Sequence, residues 1–266
     1  MSESNEPIVS VKNLSIGFDD ELIMKDISFD VYPGERFVIL GGSGSGKSTL
    51  LKHMIGLYSP FSGQILINGQ DLTRADESQK MLILQAIGIS YQSGALFGSM
   101  SLLENIRLPL EEFTNLSSTA MDLVCRIKLF QVGLLGYENH MPSELSGGMQ
   151  KRAAIARAMA LDPAILFLDE PSAGLDPITS LELDELVLSL SRSLKVTFVI
   201  VTHELSSIFK IGQRMIILDK KRKTIAAQGA PEELRLNSPD PWVRSFLNRD
   251  PLINQDTMHQ QGAKRL

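Results

Sequence analysis

The segment Phe37–Ser48, with the sequence FVILGGSGSGKS, decides the fold of this chain. Its first residues, Phe37–Leu40, are all apolar, which is typical of a strand covered on both faces of a mainly parallel sheet. The remaining residues, Gly41–Ser48, match the pattern G-x-x-x-x-G-K-[ST], and Ser48–Ile55 has the apolar spacing of a helix. A strand, a glycine-rich loop and a helix in this order predict a phosphate-binding loop.

The residue types of this loop suit a polyphosphate ligand. Glycines allow backbone N–H groups to turn towards a phosphate, and the N-terminus of the next helix adds partial positive charge. Lys47 supplies a point charge to the β- and γ-phosphates, and the Ser48 hydroxyl is the expected ligand of a bridging Mg²⁺ ion. A Gly/Ser turn that contains a lysine by chance is the alternative, and the flanking strand and helix argue against it. We predict nucleotide contacts at Gly41, Gly42, Ser43, Gly44, Ser45, Gly46, Lys47, Ser48 and Thr49.

Further apolar runs alternate with helical segments along the chain. The additional runs are Ile8–Val11, Ile65–Ile67, Ile165–Leu168, Val196–Val201 and Met215–Leu218, and helical spacing recurs at Gln150–Leu161 and Ser180–Leu194. This alternation predicts an α/β fold. We expect a phosphate-loop NTPase (RecA-like) core with a mainly parallel sheet, an N-terminal antiparallel β region and an inserted α-helical subdomain.

The remaining segments define the expected domain organisation. The strand pattern fades between Gly88 and Asp162, so the helical subdomain is placed at about residues 89–162 of one domain at 7–238. Residues 214–218 and 224–228 predict a hairpin with a solvated, basic turn at 219–223. Residues 1–6 are expected to be an N-terminal tail. The C-terminal extension, 239–266, is expected to form a short helix and then a loose tail.

Composition excludes several classes of protein. The chain has 266 residues, 43% hydrophobic and 21% charged, so it is neither disordered nor collagen-like. Its net charge of −5 argues against a protein that coats nucleic acid, and we expect no nucleic-acid partner. The single cysteine, Cys125, predicts a buried thiol in a reducing compartment.

The sequence predicts a cytoplasmic protein that reaches a membrane only through a partner. The N-terminus MSESNEPIVS lacks the basic start and apolar core of a secretory signal. The longest charge-free stretch, Met81 to Leu103, has the length of a membrane span, but polar residues such as Gln85, Ser90 and Gln92 interrupt it throughout. We therefore expect no transmembrane helix.

Two adjacent acids, Asp169 and Glu170, end the apolar run Ile165–Leu168. Buried charges at that position are costly unless they serve a cation, and Asp169 is the candidate that holds Mg²⁺ through water. Since successive strand residues point to opposite sides, Glu170 can aim at a water in line with the γ-phosphate and act as general base. The alternative is a helix N-cap, which Pro171 would also suit.

His203 follows the run Val196–Val201 and Thr202. Ligands of open α/β sheets bind at the carboxyl ends of strands, so His203 is a candidate sensor of the γ-phosphate beside Lys47 and Asp169. A structural histidine with satisfied hydrogen bonds is the alternative.

A second glycine-rich turn, Leu145–Gln150, precedes a predicted helix, so its backbone N–H groups could bind an anion. Taken alone, the turn would indicate only a helix cap. In combination it carries a specific resemblance. The chain resembles an ATP-binding cassette (ABC) ATPase over residues 7–235, on motifs that occur in the expected order: the phosphate loop, Gln92, LSGGMQ at 145–150, Asp169-Glu170, SAGLD at 172–176, and His203.

The resemblance implies a role for each matching residue. Phe18 stands where the family has an aromatic residue that stacks on adenine. Gln92 corresponds to the glutamine that senses Mg²⁺ and links the core to the helical subdomain. Asp176 corresponds to an acid that reaches across to the nucleotide site of a second copy of the chain. The implied catalytic set is Lys47, Gln92, Glu170 and His203, and the implied metal ligands are Ser48, Gln92 and Asp169.

The resemblance also implies a dimer that is closed by ATP. Ser146, Gly147 and Gly148 correspond to residues that contact the γ-phosphate of ATP bound to a second copy. Each site then closes only between two copies that face head to tail, and hydrolysis opens the pair.

A finer resemblance is to the Mla-type ATPases of bacterial phospholipid transport. It rests on QSGALF at 92–97, LSGGMQKR at 145–152 and EPSAGLDPI at 170–178. The implied partners are a multi-span permease, a periplasmic lipid-binding subunit of the mammalian-cell-entry type and a STAS-domain regulator, with the ATPase at the cytoplasmic face of the inner membrane. Trp242 and Phe246, spaced i and i+4, favour docking of the C-terminal extension on the regulator or the second copy, and a ragged terminus is the alternative.

Other functions remain as alternatives. ATPases of amino-acid or quaternary-amine importers have near variants of these motifs. A soluble ABC ATPase would need a coiled-coil insertion or a second cassette, and a phosphate-loop kinase leaves Leu145–Gln150 and His203 unexplained. Glu204, where Asp is usual, and the turn at 219–223, which lacks Gly, depart from common ABC patterns.

Overall fold

A computed structural model describes residues 6–249, which form two β-sheets and nine α-helices. The strands are β1 Val9–Phe18, β2 Glu21–Val31, β3 Arg36–Gly41, β4 Ser62–Ile67, β5 Gln70–Asp71, β6 Ile87–Ser90, β7 Ile165–Asp169, β8 Thr197–Thr202, β9 Arg214–Asp219 and β10 Thr224–Gly229. The helices are α1 Lys47–Met54, α2 Glu77–Gln85, α3 Leu102–Phe113, α4 Ser118–Gln131, α5 Gly147–Ala158, α6 Pro177–Leu194, α7 Leu205–Ile211, α8 Pro231–Asn237 and α9 Pro241–Asn248.

The larger sheet has six strands in the order β10-β9-β3-β8-β7-β6. From β9 to β6 all neighbours are parallel, and β10 pairs antiparallel with β9. The segments Phe37–Leu40, Ile165–Leu168 and Phe198–Val201 are completely buried, as the uninterrupted apolar runs require. The predicted α/β fold with a mainly parallel sheet and the predicted C-terminal hairpin are confirmed.

The two faces of this sheet pack against different layers, because alternate strand residues point to opposite sides. Phe37 and Ile39 face α1 and a four-stranded antiparallel sheet with the order β2-β1-β4-β5. Val38 and Leu40 face the helices on the opposite side. Phe29 of β2 stacks on Phe37, with ring centroids 5.2 Å apart. The predicted N-terminal antiparallel region is therefore present, and it covers one face of the core sheet.

Helices α3, α4 and α5 lie between β6 and β7 in the sequence, and residues 91–164 contain no strand. Their buried residues, among them Ile106, Cys125 and Ala153, belong to the same apolar cluster as Val38 and Leu40. Cys125 is completely buried, as predicted, and burial raises the pKa of its thiol to about 11. The limits of an inserted helical subdomain at 89–162 remain a prediction.

Strand β6 was not expected from the sequence. It is only four residues long and contains Gly88, which ordinarily weakens a strand. A Cβ on Gly88 would lie 2.1 Å from the carbonyl oxygen of Ala158, so glycine permits α5 to approach the strand closely. The predicted start of the helical region at residue 89 consequently falls inside β6.

The C-terminal part of the described chain packs on the core. Val243 and Leu247 of α9 are buried in the main apolar cluster, and Trp242 stacks on Phe246 with ring centroids 5.2 Å apart. The predicted short helix is confirmed. The predicted loose tail lies outside the described residues from position 250 onward, as does most of the predicted N-terminal tail. Among residues 6–249, no helix has the length and apolar character needed to cross a membrane.

Candidate functional site

The predicted phosphate loop joins β3 to α1 at the carboxyl edge of the parallel sheet. Gly44 and Gly46 have φ angles of 68° and 92°, values that glycine adopts without strain. The first turn of α1 contains no acidic residue, so its N–H groups and partial positive charge are available to an anion. A Cβ on Gly41 would lie 2.3 Å from Oγ of the buried Ser45, which shows how tightly the loop is wound.

Lys47 lies buried at the centre of this loop. Its Nζ donates hydrogen bonds to the carbonyl oxygens of Gly41 at 2.9 Å and Gly42 at 3.3 Å. The same Nζ lies 3.8 Å from Oε1 of Glu170. The structure thus brings together the predicted loop lysine and the predicted general base, although their positions differ by more than a hundred residues.

Glu170 occupies an unusual backbone position just after β7. Its φ of 46° is in the left-handed region, which is costly for a residue with a side chain, and strained residues of this kind cluster at active sites. Its N–H donates to the Val201 carbonyl at 2.8 Å. Its Oε2 accepts from Nδ1 of His203 at 2.8 Å and from the His203 backbone N–H at 3.3 Å. Lys47 and His203 therefore hold the two carboxylate oxygens of one buried side chain.

Asp169 points into a different environment from its neighbour Glu170. Together with Tyr91, Gln92, Ser93, Ala173 and Gly174, it lines an open cleft. Burial, and then the carboxylate of Glu170, raise the pKa of Asp169, while Lys47 and the Ser48 hydroxyl act in the opposite direction. Its Oδ1 is buried and accepts no hydrogen bond from any residue within 6–249.

An unpartnered, buried carboxylate oxygen is favourable only if a cation or water reaches it. Asp169, the exposed hydroxyl of Ser48 and the amide oxygen of Gln92 would together offer the oxygen donors that Mg²⁺ prefers. The residues of the predicted metal set therefore fit the ion chemically.

Ser146 and Gly147 of the second glycine-rich turn are exposed, and the turn is separate from the phosphate loop. Ser146 caps α5 by accepting the N–H of Met149 at 3.3 Å. A Cβ on Gly148 would lie 2.4 Å from Cγ2 of Thr179, so the start of α5 packs closely on the start of α6. Asp176 caps α6 and is also exposed. Within residues 6–249, no hydrogen bond or ion pair connects Ser146 or Asp176 with the phosphate loop.

Phe18 is placed at the end of β1, with 55% of its surface exposed. Its ring meets Tyr58 edge-on, with centroids 5.9 Å apart. The sequence did not suggest Tyr58, because this residue lies in an irregular segment with no motif. The pair forms an exposed aromatic surface that suits stacking with a flat base.

Lys151 is a second residue that the sequence analysis missed. It lies one turn into α5, and its Nζ donates to the backbone carbonyl of Gln92. Burial lowers its pKa, while the carboxylates of Asp169 and Glu170 act in the opposite direction. The sequence could have indicated Lys151 only through its position directly after the turn at 145–150. The contact between α5 and the Gln92 segment is visible only in the packed structure.

These features define an α/β ATPase with a phosphate loop, in which two carboxylates at the end of β7 lie beside the loop lysine. A family model described as ABC transporter matches residues 24–173, more than half of the chain. The chain belongs to the ABC transporter family and is one of its ATPases: it binds and hydrolyses ATP.

Two relatives cover most of the chain. The probable ribonucleotide transport ATP-binding protein mkl of Mycobacterium leprae is 40% identical over 240 residues, which are 90% of this chain and 68% of the relative. The intermembrane phospholipid transport system ATP-binding protein MlaF of Escherichia coli K12 is 38% identical over 248 residues, 93% of this chain and 91% of the relative.

A solved structure extends the comparison to three dimensions. It is a dimeric, post-hydrolysis state of an ATP-binding cassette bound to ADP and Pi. It superposes with a TM-score of 0.75 at 30% identity and covers 84% of this chain and 98% of the solved chain.

Proposed function

We propose that this chain is the ATP-hydrolysing subunit of a bacterial transporter that moves phospholipids between the inner and outer membranes. The main support is the similarity to the phospholipid transport ATPase of Escherichia coli, which covers 93% of this chain and 91% of that protein. The mycobacterial relative is named for a different cargo, ribonucleotides, and it is a longer protein. The cargo must therefore be tested directly.

The geometry supports a simple hydrolytic mechanism. ATP binds the N–H groups of the loop, and Lys47 exchanges the carbonyl oxygens of Gly41 and Gly42 for phosphate oxygens. Glu170 accepts a proton from a water as the water oxygen attacks the γ-phosphorus and the bond to the β,γ-bridging oxygen breaks, which releases ADP and phosphate. A bound Mg²⁺ would neutralise charge on the phosphates. His203 keeps Glu170 oriented and reports on the γ-phosphate.

The exposed second turn supports a dimeric mechanism. Ser146, Gly147 and Asp176 are exposed, although the resemblance assigns them to a nucleotide site. A second copy placed head to tail would bring its turn to the phosphate loop of the first, and the dimeric state of the solved cassette supports this arrangement. We propose that ATP closes the dimer and that hydrolysis opens it.

An apolar groove suits the cytoplasmic segment of a permease. The groove has a volume of about 480 Å³ and lies between the end of α1, α2 and α3, where Leu57, Met81 and Phe113 are exposed. Its lining includes Ile87 and Ile89 of β6, the strand that leads to Gln92. A helix of the permease in this groove would act on the Gln92 segment directly.

The remaining assignments follow from the Mla-type resemblance. The complex would contain the membrane permease, a periplasmic mammalian-cell-entry-type subunit and a STAS-domain regulator, and the ATPase would lie at the cytoplasmic face of the inner membrane. The C-terminal extension remains a candidate contact for the regulator or the second copy, and its last residues lie outside the described chain.

Isolation of the intact complex tests the proposal. The chain would be tagged, extracted from membranes in mild detergent, and its co-purifying subunits and lipids identified by mass spectrometry. We expect a multi-span subunit and bound phospholipid, and phospholipid should stimulate ATP hydrolysis in proteoliposomes. Stimulation by a ribonucleotide, an amino acid or a quaternary amine instead would reject the phospholipid assignment, and isolation without a membrane subunit would reject the transporter.

A further inference from the structure

The turn between β9 and β10 contains four consecutive basic residues, Lys220–Lys223, and it lies beside the phosphate loop. A Cβ built on Gly44 would lie 3.2 Å from Nζ of Lys220. Gly44 is exposed, and it is part of the loop whose N–H groups are expected to bind phosphate. The ammonium group of Lys220 is therefore placed against the nucleotide-binding loop from a distant part of the sequence.

The position of this turn is fixed by several contacts. The Oδ1 atom of Asp219 accepts the N–H groups of Lys221 at 2.7 Å and Arg222 at 3.2 Å. The carbonyl of Lys223 accepts the N–H of Lys25 at 2.7 Å, and Nζ of Lys223 donates to the carbonyl of Leu22 at 2.7 Å. The turn is thereby attached to β2 and keeps Lys220 at the loop.

An ion pair attaches the turn to α9. The guanidinium of Arg222 lies 2.5 Å from a carboxylate oxygen of Asp240, the N-cap residue of that helix. Arg222 and Lys223 consequently serve to hold the turn in place. Lys220 and Lys221 are both exposed and have no carboxylate within 4.0 Å among the residues that the structure describes.

The charges at the site favour an additional cation. Lys47 is already engaged with two loop carbonyls and lies 3.8 Å from Oε1 of Glu170. Asp169 and Glu170 add negative charge beside the place where the triphosphate binds. The Lys220 side chain is exposed and makes no ion pair within residues 6–249, so its ammonium group can reach a phosphate bound at the loop. A charge-assisted contact to phosphate is stronger than a neutral one.

We propose that Lys220 is a nucleotide-binding residue that contacts the polyphosphate of ATP from the β9–β10 turn. This assignment depends on ATP binding alone and is independent of the transported cargo. A failed test of Lys220 therefore leaves the phospholipid proposal unaffected, and the reverse also holds.

The affinity for ATP tests the proposal on the full-length protein. Lys220→Ala should raise the Kd for ATP about fivefold, equivalent to ~1 kcal/mol for an accessible charge pair. Lys220→Arg should retain the affinity, Lys220→Glu should weaken it more than alanine does, and added salt should reduce these differences. In steady-state assays the effect should appear in KM, with kcat little changed, because the contact stabilises ground and transition states alike.

Lys221→Ala is the matched control, since it removes the same charge one residue away. It should bind ATP as the unaltered chain does, and both alanine variants should melt at the temperature of the unaltered chain. An unchanged Kd in Lys220→Ala, or an equal loss in Lys221→Ala, would overturn the proposal. A loss that appears only in kcat would also overturn it, because it would indicate a role in the chemical step.

Discussion

His203 and Glu170 are joined by a 2.8 Å contact between Nδ1 and Oε2, while Oε1 of the same carboxylate lies 3.8 Å from Nζ of Lys47. A carboxylate accepts hydrogen bonds, so this contact places a proton on Nδ1 of His203. The imidazole is 60% exposed, and the carboxylate is almost completely buried. The two oxygens of the Glu170 carboxylate are thus held on opposite sides, one by the imidazole of His203 and the other by the ammonium group of Lys47.

Replacement of Glu170 by Gln removes this proton acceptor and changes the side-chain volume very little. We expect ATP binding to persist and kcat to fall by about 10²–10⁴, the range for loss of a general base. Two ATP molecules should then hold a dimer, which sizing chromatography would detect. Glu112→Gln on the exposed surface of α3 is the control. Hydrolysis at the normal rate by Glu170→Gln would disprove the assignment of the base.

Lys47→Ala removes the loop ammonium and leaves Oε1 of Glu170 without its nearest cation. The Kd for ATP should rise by about 100-fold, because the lost contact joins a buried ammonium to phosphate. Isothermal titration measures this change. The surface variant Lys12→Ala should bind normally, and unchanged affinity in Lys47→Ala would contradict the phosphate-loop role.

Ser146→Arg tests the head-to-tail dimer. A long cationic side chain at the exposed turn should block approach of a second copy, while the distant phosphate loop still binds ATP. Loss of the N-cap of α5 should cost only about 1 kcal/mol of stability. Both substitutions would be made in the Glu170→Gln variant and compared by size-exclusion chromatography with ATP. Ser146→Arg should elute as a monomer, and Ser143→Arg, an exposed control nearby, should elute as a dimer. An ATP-dependent dimer of the first variant would count against the arrangement.

The carboxyl group of Asp184 should make the free energy of unfolding depend on pH, independently of catalysis. Burial raises its pKa to about 6, with smaller opposing contributions from Ser207 and Lys210. The folded pKa therefore exceeds the unfolded value, so the protonated carboxyl stabilises the fold below pH ~4, and this contribution disappears as the pH rises through about 6.

Asp184→Asn should consequently increase the free energy of unfolding at pH 8 by about 2 kcal/mol and have little effect at pH 4. Urea denaturation at both pH values measures the difference. Glu185→Gln, an exposed neighbour, should show no such pH dependence. A destabilised Asp184→Asn at pH 8 would show that the ionised carboxylate makes favourable contacts.

Several features of the fold were predictable because the sequence pattern of one short, continuous segment determines each of them. The segments Phe37–Ser48 and Ile165–Glu170 each combine a buried strand with the polar residues that follow it, and the periodicity of each segment determines its structure locally. The hairpin of β9 and β10 was predictable for the same reason. Strand β6 was not, because four residues with an internal glycine contain too weak a pattern.

The sequence by itself determined which residues form the phosphate loop, which acids end β7, and that strands and helices alternate around them. Only the tertiary structure decided that His203 and Lys47 hold opposite oxygens of Glu170, that Tyr58 lies beside Phe18, and that Lys220 lies against Gly44. The physical reason is that these contacts join residues far apart in the sequence. They form only when the register of parallel strands and the packing of turns bring separate segments to one edge of the sheet.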